Sequence, residues 1–223
     1  MENGDNFEIA LQSKEGGRML SETRLRQLLL VRIFRKRTQY GYCGTQSAAL
    51  LMSARHFGEL YKDTEKHSNC DVSDVPYLDT NLFSYEQTKT VVQHDELLKI
   101  GLTLDKMQSL LAAFGIPSRR FHADRSSVDE FRAQAMAALS HQDSSLAVLV
   151  NFEMTTMLDG KMKTCGHHSL LGAYHPNTDR FLLLDTSTFY SDRWLKPEEI
   201  FLMMDTMDTE SGIKRGFLIV GSL

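Results

Sequence analysis

A polar turn that leads directly into a helix, with a cysteine at the junction, most constrains how this chain folds. Residues 38–44 are polar, aromatic and glycine-bearing, which predicts a turn, and residues 46–56 are rich in Ala, Leu and Met, which predicts a helix. Cys43 therefore lies at or just before a helix N-terminus. Unpaired backbone N–H groups and the helix dipole favour the thiolate there, the form of cysteine that attacks a carbonyl. A buried structural thiol is the alternative interpretation.

A second segment, residues 166–185, offers partners for a reactive thiol. Two short apolar runs flank a polar turn at 176–180, which predicts a β-hairpin with His167 at one mouth and Asp185 at the exit of the second strand. A thiol nucleophile needs a base within hydrogen-bond reach, and that base needs a third group to fix its ring and tautomer. Cys43, His167 and Asp185 form such a set, with His168 as a competing candidate for the base.

The residues around these positions resemble the phytochelatin synthase family, a branch of the papain-like cysteine peptidases. The matching segments are Tyr-Cys-Gly at 42–44, Gly-His-His-Ser at 166–169, Gly-Ala-Tyr-His at 172–175, and the segments 185–195 and 214–217. They run in family order from about residue 14 to the C-terminus. The resemblance implies an α+β, papain-like cysteine protease fold, in which a helical part carrying the nucleophile packs on an antiparallel β-sheet carrying the His and Asp.

The resemblance also implies catalytic roles. Cys43 becomes the nucleophile, His167 the general base and then acid, and Asp185 the orienting carboxylate. The family has an apolar aromatic residue at the position of His168, so we expect His168 to be a packed, hydrogen-bonded histidine.

The family places an oxyanion-binding glutamine six residues before the cysteine, where this chain has Arg37, whereas Gln39 lies four residues before it. Such a donor is worth roughly 3 kcal/mol. We expect Gln39 to fill this role, with a differently built oxyanion hole as the alternative.

Glutathione is the substrate that the resemblance implies. Cys43 would attack its Cys–Gly amide and form a γ-glutamylcysteinyl thioester, which a second glutathione converts to a phytochelatin and water converts to γ-glutamylcysteine. The eukaryotic-type members carry a Cys-rich C-terminal extension that this sequence lacks, so we expect hydrolysis or weak transfer rather than efficient metal-driven polymerisation. No tightly bound cofactor is expected. A Cd or Zn ion would enter as a glutathione thiolate complex, in keeping with heavy-metal detoxification.

Four residues are candidates for binding this substrate. The γ-glutamyl head carries an ammonium and a carboxylate on one carbon, and Asp208 and Arg215 match the acidic and basic residues that flank a loop in the family. A surface ion pair is the competing interpretation of these two. Gly44 and Gly166, which adjoin the nucleophile and the base, complete the predicted substrate site.

Two other functions stay open, and composition excludes several more. The open ones are a cysteine peptidase or amidase with another γ-glutamyl or protein substrate, and an inactive binding module of the same fold.

A net charge of −4 argues against nucleic acid as the main partner. No apolar run is long enough to span a bilayer, and an acidic N-terminus is unlike a signal peptide. Three cysteines without a close pair favour a reducing, cytoplasmic location. Signal-less secretion as an effector and a homodimer are both left open.

The rest of the chain divides into a flexible arm at 1–17 and a single catalytic domain at 18–223. A helix is predicted over 21–34. The cluster Arg32, Arg35, Lys36 and Arg37 is interpreted as its solvated C-terminal end, with a basic patch for an anionic ligand as the alternative. Residues 58–95 are predicted to be a long polar loop. Within that loop, four residues have a weak metal-binding spacing, namely His67, Cys70, Asp71 and Asp74.

Periodicity and capping signals predict the remaining elements. The predicted helices cover 104–114, 128–139 and 197–205, the strands cover 118–122, 146–152 and 216–221, and the turns or loops cover 154–165 and 206–212. Trp194 is expected in the core. Cys165 is expected to be a spectator at a strand end, with a resolving thiol for Cys43 as the alternative.

Overall fold

The computed structural model describes residues 8–60, 75–141, 146–158 and 160–221. Its helices are α1 (Lys14–Glu22), α2 (Leu28–Ile33), α3 (Cys43–Leu60), α4 (Glu86–Lys89), α5 (His94–Ile100), α6 (Leu104–Ala113), α7 (Val128–Ser140) and α8 (Pro197–Met204). Its strands are β1 (Ile9–Ala10), β2 (Leu25–Arg26), β3 (Ser118–His122), β4 (Ala147–Leu158), β5 (Lys161–His175), β6 (Arg180–Leu184), β7 (Arg193–Leu195), β8 (Met207–Asp208), β9 (Ile213–Lys214) and β10 (Gly216–Val220).

An eight-stranded sheet organises the described part of the chain. Its strand order is β1-β7-β6-β5-β4-β10-β3, β2 joins beside β5, and the strand pairs are antiparallel. β8 and β9 form a separate two-stranded ladder. This confirms the predicted α+β class with an antiparallel sheet, which is compatible with a papain-like fold.

Both faces of the sheet are covered by helices. Because side chains alternate along a strand, Leu149 of β4 joins one apolar cluster with residues of α3 and α6, whereas Val148 and Val150 join a second cluster with residues of α7 and α8. α3 packs on β5. Packing of α3 against β5 fixes the start of that helix relative to the strand, and this positions Cys43 beside the histidines.

The helices with clear start signals form as predicted. The Thr103 side chain accepts the Lys106 N–H at the start of α6, and the Ser127 side chain accepts the Glu130 N–H at the start of α7. α8 begins with Pro197 in its first turn, as expected. The predictions for β3, β10 and the first half of β4 are also confirmed.

The N-terminal prediction is wrong for the described residues from position 8 onward. β1 pairs with β7, and α1 begins after Ser13, whose side chain accepts the Gly16 N–H. The indole N–H of Trp194, which is fully buried as expected, donates to the Gly16 carbonyl at 3.2 Å. Residues 8–22 are therefore part of the fold, and positions 1–7 of the predicted arm lie outside the described residues.

The predicted helix over 21–34 is also wrong, because tertiary contacts divide it. The Thr23 hydroxyl donates to the Tyr174 carbonyl, and Leu25 pairs with Tyr174 in the sheet. Only Leu28–Ile33 is helical after this point within that stretch. Pairing with β5 outweighs the modest helix propensity of these residues.

Three predicted loops are more regular than expected where they are described. The predicted turn over 154–165 is a continuation of β4 and β5, which pair Met157 with Met162. The loop over 206–212 includes β8. In the long stretch 58–95, α3 continues to Leu60, and residues 75–95 include α4 and the start of α5. The metal-binding hypothesis for His67, Cys70, Asp71 and Asp74 falls outside the described residues and stays a prediction.

Within the described ranges, the helices are too short or too polar to cross a membrane.

Candidate active site

Cys43 is the first residue of α3, as the turn-to-helix pattern predicted. The Tyr42 N–H donates to the Gln39 carbonyl in the preceding turn, and the Gln46 N–H donates to the Tyr42 carbonyl as the helix begins. The Cys43 residue is buried, with 6% of its surface exposed. The thiol therefore lies at the positive end of an 18-residue helix, out of bulk water.

His167 and Asp185 meet across the β5–β6 hairpin. The His167 Nε2 atom is 2.8 Å from Asp185 Oδ1, and both residues are fully buried. Phe152 packs edge-on against the imidazole, with ring centroids 5.2 Å apart. The hairpin turn is a 3-10 helix over Pro176–Thr178 that ends at Asp179 in the left-handed region. The predicted hairpin is confirmed, although β5 is longer than the sequence suggested.

Asp185 is held by more than its histidine. Arg193 Nη1 donates to Oδ2 at 2.8 Å, and the Ser187 N–H donates to Oδ1 at 2.9 Å. Burial on its own raises the pKa of Asp185, but the contacts with His167, Arg193 and Ser187 outweigh it and bring the pKa below its ordinary value. The carboxylate therefore stays charged and oriented toward the imidazole.

Cys43 and His167 shift each other's protonation. Burial on its own raises the pKa of the Cys43 thiol, but its interactions with His167 and His168 outweigh burial and bring the pKa well below its ordinary value. Burial on its own lowers the pKa of His167, but Asp185 and Cys43 raise it to about 9. The two groups titrate as a coupled pair. These opposite shifts favour a thiolate on Cys43 beside an imidazolium on His167.

The two histidines are distinguished by their partners. His167 is the one bonded to Asp185, and its Nδ1 atom makes no hydrogen bond among the described residues, so this ring atom is left to serve Cys43. His168 is buried opposite Asn151 of β4, and its Nε2 atom has no partner in the described structure. The prediction of a packed, hydrogen-bonded His168 is confirmed, and its hydrogen-bond partner is the Cys43 thiol. Strand alternation gave no signal that both rings act on Cys43.

The basic cluster before Cys43 is not a uniformly solvated helix end. Lys36 Nζ donates to the Asp185 carbonyl at 2.6 Å and to Asp192 Oδ1 at 2.7 Å. Arg37 is buried, whereas Arg32 is exposed. The prediction is wrong for Lys36 and Arg37 because the chain leaves α2 and passes directly beside the Asp185 segment.

The sequence candidates nearest the thiol have different surroundings. Gln39 is exposed, and its side chain lies next to the Tyr42 hydroxyl. Cys165 is partly buried and contacts the Tyr40 hydroxyl, and its thiol is within electrostatic reach of Cys43. Burial raises the pKa of Cys165, in contrast to that of Cys43. The pKa values of the Cys43 and Cys165 thiols are therefore shifted in opposite directions.

Asp208 and Arg215, two of the candidates for the substrate pocket, have different hydrogen-bond partners. Arg215 is buried, its Nη1 donates to Thr206 Oγ1 at 3.2 Å, and it faces Glu153 at 3.8 Å. Asp208 instead accepts the Glu210 N–H within its own turn. In the described part of the chain, Asp208 and Arg215 form no ion pair with each other, so the interpretation as a surface ion pair is wrong.

Gly44 and Gly166, the two candidate glycines, each let a neighbouring side chain lie where a Cβ atom would crowd it. A Cβ atom at Gly166 would lie 3.3 Å from Arg215 Nη2 and 3.4 Å from its Nε, which has no hydrogen-bond partner among the described residues. A Cβ atom at Gly44 would lie 2.8 Å from Leu102 Cδ1. Gly166 thus brings the Arg215 guanidinium against the strand that carries His167, whereas Gly44 allows α3 to pack on Leu102.

No group of three or more His, Cys, Asp or Glu side chains suited to holding a metal ion occurs in the ranges that the structure describes.

Comparison with known proteins places the chain in a family. The family model for phytochelatin synthase matches residues 5–217. The chain belongs to the phytochelatin synthase family. One curated relative is glutathione gamma-glutamylcysteinyltransferase 3 of Lotus japonicus, which is 28% identical over 57% of this chain and 26% of its own length. Another is glutathione gamma-glutamylcysteinyltransferase 1 of Triticum aestivum, which is 31% identical over 54% of this chain and 23% of its own length. Glutathione gamma-glutamylcysteinyltransferase 1 of Arabidopsis thaliana is 22% identical over 86% of this chain and 36% of the relative. The matches thus span about a quarter to a third of the relatives' length.

Proposed function

We propose that this phytochelatin synthase family member is a thiol-dependent acyltransferase or hydrolase that cleaves the Cys–Gly amide of glutathione. The names of its relatives support the substrate, because they describe transfer of a γ-glutamylcysteinyl group from glutathione. The observation that carries the proposal is the buried Asp185–His167 pair beside a Cys43 thiol whose pKa is well below its ordinary value. That arrangement is the one a papain-like nucleophile requires.

The proposed reaction has two half-reactions. The Cys43 thiolate attacks the carbonyl carbon of the cysteinyl residue, and the electron pair of the C–N bond leaves with the glycine nitrogen, which takes the proton from the His167 imidazolium. A γ-glutamylcysteinyl thioester remains on Cys43. The now neutral His167 removes a proton from water or from the amino group of a second glutathione, whose attack releases the acyl group and restores the thiolate. Water yields γ-glutamylcysteine and glutathione yields a phytochelatin.

Asp185 has a distinct role in this scheme. Because its Oδ1 accepts from His167 Nε2, it holds the ring in the tautomer whose Nδ1 serves the thiol and stabilises the imidazolium form. Arg193 and Ser187 keep the carboxylate in that orientation. The proton thus moves between Nδ1 and the substrate, while Asp185 stays ionised.

Substrate contacts are proposed for the remaining candidates. The Arg215 guanidinium, with its unpartnered Nε beside Gly166, suits the α-carboxylate of the γ-glutamyl head. Asp208 is proposed for the ammonium of the same head. Gln39 is proposed as the side-chain donor to the oxyanion, which requires it to turn away from Tyr42 when substrate binds. Gly44, whose close packing on Leu102 keeps the start of α3 in place, is proposed as backbone lining of the site.

The proposed function also implies how a metal ion would take part, where the protein would act and what it would bind. A Cd or Zn ion would arrive as a glutathione thiolate complex and would be part of the substrate. A reducing compartment such as the cytoplasm would keep both glutathione and Cys43 in their thiol forms. Glutathione is the proposed small-molecule partner. A homodimer stays a hypothesis.

Mass spectrometry after incubation with millimolar glutathione, with and without zinc or cadmium, tests the proposal. Wild-type protein should release glycine and carry a γ-glutamylcysteinyl adduct on Cys43. The Cys43→Ala variant should do neither, and Cys165→Ala, which removes the neighbouring thiol, should retain the activity. The ratio of dipeptide to oligomer identifies the acceptor. Intact glutathione alongside rapid Cys43 alkylation would refute the substrate and leave the nucleophile in place.

A further inference from the structure

Arg37 is a buried cation beside the candidate active site, and it has no anionic partner among the residues that the structure describes. Only 6% of its surface is exposed. Its backbone N–H donates to the Thr186 carbonyl at 2.9 Å, which fixes the residue beside the Asp185 segment. Among the described residues its guanidinium makes no hydrogen bond and no ion pair, and it lies over the Tyr40 ring instead, 5.1 Å from the centroid. All of its side-chain N–H donors are thus left for a ligand.

Other cations in the same region are neutralised by the protein itself. Lys36 pairs with Asp192 at 2.7 Å, Arg193 with Asp185 at 2.8 Å, and Arg215 with Glu153 at 3.8 Å. Burying a guanidinium without an anion is costly, and a stacked aromatic ring offsets only part of that cost. Arg35 and Arg215 also have a buried nitrogen without a hydrogen-bond partner among the described residues. Arg37 differs from Lys36, Arg193 and Arg215 in having no carboxylate beside it in the described structure, so we expect its anion to arrive with a ligand.

Arg37 is connected to the reacting thiol through two neighbours. The Tyr40 hydroxyl contacts the Cys165 thiol, and both groups interact electrostatically with Arg37 and with Cys43. Cys165 is two residues before His167 in β5, so the two side chains share a face of the strand. The guanidinium therefore lies toward the side of the site where His167 would protonate the leaving amine.

We propose that Arg37 binds the carboxylate of the leaving group, which for glutathione is the terminal carboxylate of its glycine. The assignment rests on the proposed function. Glutathione carries one carboxylate at each end, and Arg215 is proposed for the γ-glutamyl end. A planar guanidinium matches a carboxylate with two parallel hydrogen bonds, so Arg37 would select acyl donors whose leaving residue ends in a free carboxylate.

Alkylation of Cys43 tests the anion site without using glutathione. Iodoacetate and iodoacetamide differ in one carboxylate, so their rate ratio at Cys43 reports a cation beside the thiol. Arg37→Gln should lower the ratio of iodoacetate to iodoacetamide rates by about tenfold, the effect of losing one charge-assisted hydrogen bond. Arg37→Lys should retain part of it. Arg120→Gln, which removes a charge from β3, should leave it unchanged. An unchanged ratio in Arg37→Gln would overturn the proposal.

Turnover of glutathione and of its glycine amide tests which anion Arg37 binds. Wild-type protein should prefer the free acid by about tenfold or more in kcat/KM. In Arg37→Gln the preference should disappear through a loss with the free acid alone. Equal use of both substrates by the wild type would overturn the assignment, and this outcome requires no variant to fold. An equal loss with both substrates in Arg37→Gln would assign Arg37 to the oxyanion and also overturn it.

The two experiments separate failure of this inference from failure of the proposed function. If wild-type protein cleaves neither substrate, the glutathione proposal and the glycine assignment both fall. The iodoacetate ratio still decides whether Arg37 binds a carboxylate. If glutathione is cleaved but the ratio and the substrate preference are absent, the proposed function stands and Arg37 has no part in binding the leaving group.

Discussion

The two segments that meet at Cys43 are built differently. On the β5–β6 side, Asp185 is fully buried and is bonded to His167, Arg193 and the Ser187 backbone. On the side of the turn before α3, Gln39 and Tyr40 are exposed, and Arg37 is buried with no anion beside it in the described part of the chain. The Asp185 carboxylate on the β5–β6 side thus has its hydrogen-bond partners without a ligand. On the turn side, polar groups are left that a bound substrate could contact.

This difference has a physical origin in the two scaffolds. The hairpin is fixed by the hydrogen-bond ladder of an antiparallel sheet and by apolar clusters on both faces, so its polar side chains have defined partners. The turn is held by separate contacts to other segments, such as the Arg37 N–H on the Thr186 carbonyl and the Thr38 N–H on Asp79 Oδ2. Rigid elements supply the preorganised charges of a reaction, and binding residues are commonly placed on turns.

Removing the Asp185 carboxylate from the β5–β6 side should have the largest effect on stability and on turnover. Asp185→Asn would leave the buried His167 imidazolium without its carboxylate, would leave Arg193 with Glu8 as its remaining anion at 3.1 Å, and would favour the wrong His167 tautomer. We expect a loss of about 3–5 kcal/mol in the free energy of unfolding and of about 10⁴ in kcat. Denaturant unfolding and glycine release measure the two losses.

The matched control for that variant is Asp105→Asn, which breaks an ion pair with Arg120 near the surface. It should cost no more than about 1 kcal/mol and should leave turnover intact. If Asp185→Asn were as stable and as active as Asp105→Asn, the buried carboxylate would have no special role.

Removing the imidazole that pairs with the thiol should have the next largest effect. The Cys43 thiolate is present above its lowered pKa and is lost as pH falls through it. The imidazolium that protonates the leaving group is lost as pH rises through about 9. His167→Gln should therefore slow iodoacetamide alkylation at pH 6 by about tenfold or more, because each unit of pKa changes the thiolate fraction tenfold. A rate profile that matches the wild type from pH 5 to 8 would contradict the account.

His168→Phe should slow alkylation of Cys43 less than His167→Gln does. This variant removes the second imidazole beside Cys43 and leaves the His167–Asp185 pair intact, so the pKa of the thiol should rise less than in His167→Gln. We expect alkylation at pH 6 to slow by about threefold, as for the loss of a weak hydrogen bond. His175→Phe is the control, since it removes another buried imidazole from β5, one that bonds to Thr178. If both variants slowed alkylation equally, the effect would be one of strand packing.

Much of the fold and the reacting set follows from local sequence signals. The capping residues Thr103 and Ser127 and the apolar spacing of α6 and α7 are local properties, so those helices were predictable. Cys43 was predictable because a polar turn meets an apolar helix there. The hairpin that carries His167 and Asp185 was predictable because a polar turn separates two apolar runs, whereas the roles of these two residues came from the resemblance to the family.

The rest depends on contacts between distant segments. The N-terminal strand exists because Ile9 pairs with Trp194, a partner far along the chain. The helix predicted over 21–34 is interrupted because Leu25 pairs with Tyr174. The burial of Arg37 and the ties of Lys36 follow from the passage of their segment beside Asp185, and a run of basic residues carries no local sign of that passage.

The pKa of the His167 imidazole tests most directly whether Cys43 and His167 form a thiolate–imidazolium pair. Nuclear magnetic resonance of the labelled imidazole across pH 5–11 gives its pKa in the wild type and in Cys43→Ala. The account predicts a value of about 9 in the wild type and a lower value in Cys43→Ala, because the thiolate no longer stabilises the imidazolium. A wild-type value near the ordinary histidine pKa of about 6.5, unchanged by removal of the thiol, would contradict a thiolate–imidazolium pair at this site.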